Sequence, residues 1–408
     1  LKAKKSNNKK YFILKSNLII FFILIFPKTI FSQEISNWKN AILDTIKTNK
    51  IENTNNNFDF LINNLIKLKN KSLKKNVNIV HIGDSHIQGE IFTNTIRAIF
   101  EGYFGKGGVG LNFPYNIAKS NGSSSHLFKS KNIWTSNKLT SIDGQKDSGL
   151  MGYVIQTKDS IVRINYSFKK EPYSFNKIKL FVKNADCNLK FFIDSLNFKN
   201  YMIKDDLCEI KLDKPIESFY IELKSPKDSI TNFYGYSIEN DSTNGIIYSS
   251  IGVNGAKFSD FIKTPNFWSQ LKNIEADCVI LSMGTNEAQN NNLDLFNNNL
   301  LTMVKKIKIM YPDAAIIITT PPISYYKKIK LNSNVNLISE IIKKLCLENN
   351  ISYWDLYCIQ EEIDHSVQWK NNKLLRPDLI HYSGDGYMLQ ANLFISAFQK
   401  SWFRYYHN

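Results

Sequence analysis

Four short runs of apolar and β-branched residues constrain this chain most: VNIVHIG (77–83), ADCVILSMG (276–284), AAIIITT (314–320) and ISYWDLY (351–357). They lack polar alternation, so as strands they need cover on both faces. Between them lie segments of helical period. Leu293, Phe296, Leu300, Val304 and Ile307 share one face over 293–310, and a second helix is predicted over 335–347. Strand and helix alternating in this way predict an α/β fold with a parallel sheet between helical layers.

Residues 132–244 follow another rule. SIVRINYSF, KIKLFVKN, LKFFIDSL and SFYIELKS alternate with period two and are broken by Asp-, Asn-, Lys- and Pro-containing turns. This is the pattern of an antiparallel β-sandwich, here inserted into the α/β pattern. The sequence therefore divides into an α/β part over 77–131, an inserted sandwich over 132–244, and the rest of the α/β part over 245–408. Ahead of these, 33–76 reads as a helical extension, with Phe58, Leu61, Ile62, Leu65 and Leu68 at helical spacing.

Residues 1–32 hold seven lysines and no acid, with nine consecutive apolar residues from Leu18 to Phe26. A spanning helix needs about 20 residues. The segment is predicted to be a secretory signal cleaved after Ser32, so the mature chain is expected in the periplasm, in the cell envelope or secreted. A retained membrane anchor is the alternative. Without this segment the formal charge falls from +16 to +9. The remaining lysines are scattered and form no Arg/Lys stripe interleaved with aromatics, which argues against nucleic acid and for a basic surface suited to anionic polymers such as a cell wall. The five cysteines contain no CxxC and the six histidines no HExxH, so no metal site is expected. In an exported chain Cys187 and Cys208 are candidates for a disulfide, and the odd total leaves at least one thiol free or paired between chains.

Functional loops of parallel sheets lie at the carboxyl ends of strands. Ser85 follows the first run, Gly284-Thr285-Asn286-Glu287 follows the second, and PDLIHYSGDGY (377–387) precedes a C-terminal helix. In SSIGVNGAKFSDF (249–261), Gly252 and Gly255 bracket a turn that opens a helix. These residue types fit acyl transfer by a serine nucleophile, which needs a base, a group to orient it and donors for the oxyanion. Ser85 is the candidate nucleophile, His381 the base and Asp378 its orienting carboxylate. The amides of Ser85 and Gly255 and the Asn286 side chain are the candidate oxyanion donors. This chemistry requires no cofactor.

Each residue also has a plainer role available: Ser85 or Asn286 as a helix cap, Gly255 as a turn former. Asp84 and His86 flank Ser85 but are read as its supports, Asp84 bracing the loop. His81, His126 and His365 are read as structural or peripheral, with His365 and Trp369 bordering the cleft. Gly105, Gly107 and Gly110 match G-x-G-x-x-G, yet they follow a helix-like segment and precede Pro114. No dinucleotide site is predicted there; the glycines are expected to shape a loop beside the nucleophile.

GDS at 83–85, Gly255 within GVNG, GTNE at 284–287 and D-x-x-H at 378–381 resemble the four ordered blocks of the SGNH/GDSL hydrolases. Two positions depart from the family pattern: His86 stands where leucine is common, and Glu287 where aspartate is usual. The resemblance implies a three-layer fold with a flavodoxin-like parallel sheet, and a Ser85–His381–Asp378 triad with Gly255 and Asn286 at the oxyanion. GDSHIQGEIFTNTIR, FGKGGVG, GVNGA, GTNEA and the β insert are together similar to exported bacterial peptidoglycan O-acetylesterases, in which a carbohydrate-binding-module-like sandwich interrupts the hydrolase. That similarity implies an acylated glycan or cell-wall polymer as substrate and an acyl-enzyme route. An O-acyltransferase with the same acyl-serine chemistry, and a non-catalytic glycan-binding surface protein, are the competing readings.

Overall fold

The computed structural model describes residues 46–406 apart from 54–55, 123–125, 170–172, 184–188, 194–195, 199–200, 227–228, 290–292 and 294. The signal-like segment 1–32 and Cys187 lie outside the described residues. Five parallel strands form the centre: β1 (Val77–Gly83), β2 (Ile246–Gly252), β3 (Cys278–Ser282), β4 (Ala315–Thr319) and β5 (Ser352–Trp354). Their order in space is β2-β1-β3-β4-β5, a flavodoxin-like order that reverses direction between β1 and β3.

Alternate residues of these strands face opposite helical layers. Val80, Ile82, Val279 and Leu281 join one core with Phe258, Phe296, Val304 and Ile338. His81 points to the other side, edge-on to Phe92 at 5.8 Å, where helices Ile91–Phe104 and Gly384–Tyr406 pack through Phe100 and Phe398 at 4.8 Å. The fourth run, ISYWDLY, is strand only to Trp354. Asp355 then caps helix Leu356–Val367 by accepting from Cys358 N at 3.1 Å, which ends the extended backbone.

The strands from His126 to Glu239 are antiparallel. Five of them form a separate sheet in the order 196–198, 189–193, 219–224, 161–168, 126–129. Its aromatic face packs on the extended end of the main sheet: Tyr166 lies 5.3 Å from Tyr236, and Phe128 4.8 Å from Tyr236.

The expectation for GKGGVG is corrected. Lys106–Asn112 is a strand, not a loop beside the nucleophile; it runs parallel to β2 and antiparallel to Thr231–Glu239. Glycine serves close approach here. At Gly108 (φ +140°) a Cβ would stand 2.5 Å from Ile238 O and 2.6 Å from Glu239 Cα. The disulfide expectation also changes, because Cys208 is a free buried thiol whose pKa burial pushes up to about 12. Among the described residues no helix is long and apolar enough to cross a membrane.

Gly108→Ala is expected to lower stability by about 2 kcal/mol or more, since it combines a disfavoured backbone conformation with a backbone collision. Gly89→Ala, with nothing within 4 Å of a Cβ, is the control. Thermal unfolding of the two variants checks this, and equal midpoints would contradict it.

Candidate active site

β1 ends at Gly83 and the chain turns at once into α1 (Ser85–Gln88). A Cβ at Gly83 would stand 2.7 Å from Ser282 O, so the turn requires glycine. The helix cap is Asp84, not Ser85: its Oδ1 accepts from His86 N at 2.9 Å. The Ser85 hydroxyl is thereby spared capping and lies 2.8 Å from His381 Nε2.

His381 comes from a loop with its own internal scaffold. Asp378 Oδ1 accepts from Ile380 N at 2.9 Å and His381 N at 2.8 Å, while Oδ2 stands 2.9 Å from His381 Nδ1. Leu379 at φ +58° makes the turn tight, and Tyr325 N donates to its carbonyl at 2.9 Å. A carboxylate only accepts, so Nδ1 carries the proton and Nε2 presents its lone pair to Ser85. Partial burial raises the Asp378 pKa, but the bonds from Ile380 N, His381 N and the His381 ring outweigh it and hold the carboxyl below its ordinary range.

Gly255 sits in the exposed turn between β2 and helix Phe258–Ile262, at φ +83°. Asn286 is the second residue of helix Thr285–Ala288, directly after β3. Its Nδ2 donates to Ala256 O at 3.0 Å and lies 3.4 Å from Asp84 Oδ2. Ser85 and Asn286 thus flank the β1/β3 reversal, where open α/β sheets expose a crevice.

Beneath them lie two buried carboxyls. Burial raises Asp84 to about 7, with nearby Glu287 adding to the shift. Burial likewise raises Glu287 to about 7; its Oε1 accepts from Phe258 N at 3.0 Å, and its Oε2 is buried without a hydrogen-bond partner. Glu287 therefore ties the helix after the Gly255 turn to the helix carrying Asn286. Only the departure of Glu287 from the family pattern hinted at this.

His81, His86 and His126 are buried. His81 lies between Tyr248 OH (2.8 Å) and Ser282 Oγ (2.6 Å), and burial lowers its pKa to about 3. His126 meets Tyr166 OH at 2.7 Å. His86 is buried with Nδ1 on Tyr387 OH at 2.9 Å, and its ring lies 5.3 Å from that of His381. Two expectations are corrected. Trp369 is buried, not on the cleft rim: its Nε1 donates to Gln360 O at 3.3 Å and its ring packs edge-on to Tyr382. His365 belongs to helix Leu356–Val367 instead of a loop, and its side chain lies outside the described residues.

The profile described as "GDSL-like Lipase/Acylhydrolase family" matches residues 228–389, a span that holds Gly255, Asn286, Asp378 and His381. This segment is similar to that family. A solved structure described as "Peptidoglycan O-acetylesterase in action, 5 min" is 21% identical with a TM-score of 0.72, covering 86% of this chain and 99% of its own. A lipase/acylhydrolase from Enterococcus faecalis matches 37% of this chain and 75% of its own at 20% identity and a TM-score of 0.31. No curated protein sequence matches. The chain shares the fold of the peptidoglycan O-acetylesterase structure, a parallel α/β sheet joined to an antiparallel β region.

The Glu287 pKa implies a pH test. A carboxyl whose folded pKa lies above its unfolded one stabilises the fold below about pH 4.5 and loses that contribution as pH rises through about 7. Glu287→Gln has no such loss. Its stability relative to the parent is expected to improve by up to about 3 kcal/mol between pH 4.5 and 8. Denaturant unfolding at the two pH values checks this; a pH-independent difference would refute it.

Proposed function

We propose that this chain is an exported serine esterase that hydrolyses O-acyl esters, specifically O-acetyl esters, on peptidoglycan or another glycan. The observation that carries the reading is the continuous chain from Ser85 Oγ to His381 Nε2 (2.8 Å) and from His381 Nδ1 to Asp378 (2.9 Å), at the open end of the parallel sheet. A GDSL-like acylhydrolase family segment supports the esterase class. Structural similarity to a peptidoglycan O-acetylesterase supports the glycan substrate. The basic, apolar segment 1–32 supports export.

In this reading Ser85 Oγ attacks the ester carbonyl while its proton passes to His381 Nε2. Asp378 keeps the ring in the right tautomer and stabilises the imidazolium. The negative oxygen of the tetrahedral intermediate takes hydrogen bonds from the amides of Ser85 and Gly255 and from Asn286 Nδ2, which exchanges part of its present bonding for the ligand. His381 gives its proton to the departing sugar oxygen, leaving an acyl-serine. Water then attacks with its proton passing to His381, and Ser85 leaves as the alcohol, releasing acetate.

Ser85→Ala is expected to reduce acetate release from 4-nitrophenyl acetate to background. Asn286→Ala should lower kcat by about 10²–10³-fold. O-acetylated peptidoglycan set against O-acetylated xylan reports the glycan. Undiminished activity of Ser85→Ala would refute the assignment, and acetyl transfer to chitooligosaccharides in place of acetate release would redefine it as a transferase.

A further inference from the structure

Lys138, in strand Thr135–Lys138 of the antiparallel region, reaches out of that region to the turn carrying Gly255. Its Nζ donates to Asn254 O at 3.1 Å. That carbonyl belongs to the same peptide unit as the N–H of Gly255. A peptide unit is planar and trans, so its C=O and N–H point in opposite directions, and fixing one aims the other.

The other end of Asn254 is held by Gln88, a buried residue three positions past Ser85. Gln88 Oε1 accepts from Asn254 N at 2.6 Å and from Tyr153 OH at 3.0 Å; Nε2 donates to Ser120 Oγ at 2.9 Å and Asn121 O at 2.5 Å. Asn254 Nδ2 also donates to Asn121 Oδ1 at 2.5 Å. Packing adds to the grip: a Cβ at Gly252 would collide with the Gln88 backbone, and one at Gly152 with Val253. At Gly255 itself nothing lies within 4 Å of a Cβ position. The orientation of this peptide is therefore imposed through Asn254, from the nucleophile helix on one side and from the antiparallel region on the other.

We propose that Lys138 and Gln88 are positioning residues that aim the Gly255 N–H at the oxyanion, so that the β insert supplies part of the catalytic geometry. This rests on the esterase reading above. The Lys138 ammonium also polarises the peptide it binds, strengthening its N–H as a donor at the moment negative charge develops.

The test uses the full chain with 4-nitrophenyl acetate and a fluorophosphonate whose adduct mimics the tetrahedral intermediate. Lys138→Met keeps the aliphatic stem and removes the donor. It is expected to lower kcat by about 10-fold with KM within about two-fold, part of what losing one oxyanion donor costs. The fluorophosphonate labelling rate should fall in parallel, and Lys138→Arg should restore most of both. Gln88→Met should behave likewise, and the double variant should lose less than the product of the two, since both act through one amide. Full kcat in Lys138→Met, or a raised KM with unchanged kcat, would overturn the proposal. So would a loss that Lys138→Arg leaves unrepaired in folded protein. Activity surviving Ser85→Ala would instead remove the esterase reading beneath it.

Discussion

The reversal of strand order at β1 is the constraint on which the rest depends. β1 pairs with β2 on one side and β3 on the other, in matching register through Gly83. Connections leaving β1 and β3 diverge from this line, so their carboxyl ends stay uncovered. Ser85 follows β1 and Asn286 follows β3, so both stand at this edge, where Asn286 Nδ2 lies 3.4 Å from Asp84 Oδ2. What the loops add is orientation: Asp84 caps its own helix, and Asp378 organises the His381 turn with three hydrogen bonds.

The carboxyls near the site behave differently according to what surrounds them. Asp378 is half-exposed and accepts from two backbone amides and a ring N–H, so ionisation suits it. Asp84 and Glu287 are buried with few donors, so desolvation dominates and each is pushed to about 7. The site thus keeps negative charge beside His381 and disfavours it at the buried Asp84 and Glu287. This separation is achieved by depth in the fold, with the same functional group on both sides.

Much of this was legible in the sequence because burial on both faces leaves an unmistakable pattern. VNIVHIG, CVILS and AIIIT became strands within a residue or two of their expected bounds. The spacing of GDS, GTNE and D-x-x-H pointed to the residues the structure brings together. Illegible were contacts whose partners are far apart and individually ordinary. Gln88 and Lys138 look like surface residues in the sequence; only the path of the antiparallel region brings them to Asn254. GKGGVG misled because glycine density usually marks a loop, whereas here it lets the strand pass against Ile238 and Glu239. Trp369 was expected to border the cleft, but it is buried and packs edge-on to Tyr382.

The placement of β1 also bears on how the chain comes to be folded. Val77 pairs with Ile246, and Ile79 with Cys278, so both neighbours of the serine's strand lie beyond the whole antiparallel region in the chain. That region pairs largely with itself: Phe219–Lys224 with Ile161–Phe168, and Thr231–Glu239 with Phe175–Lys183. During synthesis from the N-terminus its strands can close while β1 still has two bare, apolar edges. The strand that leads into Ser85 is made before both of its neighbours and is enclosed only after them, and in the interval its protection against aggregation falls to whatever accompanies the nascent chain.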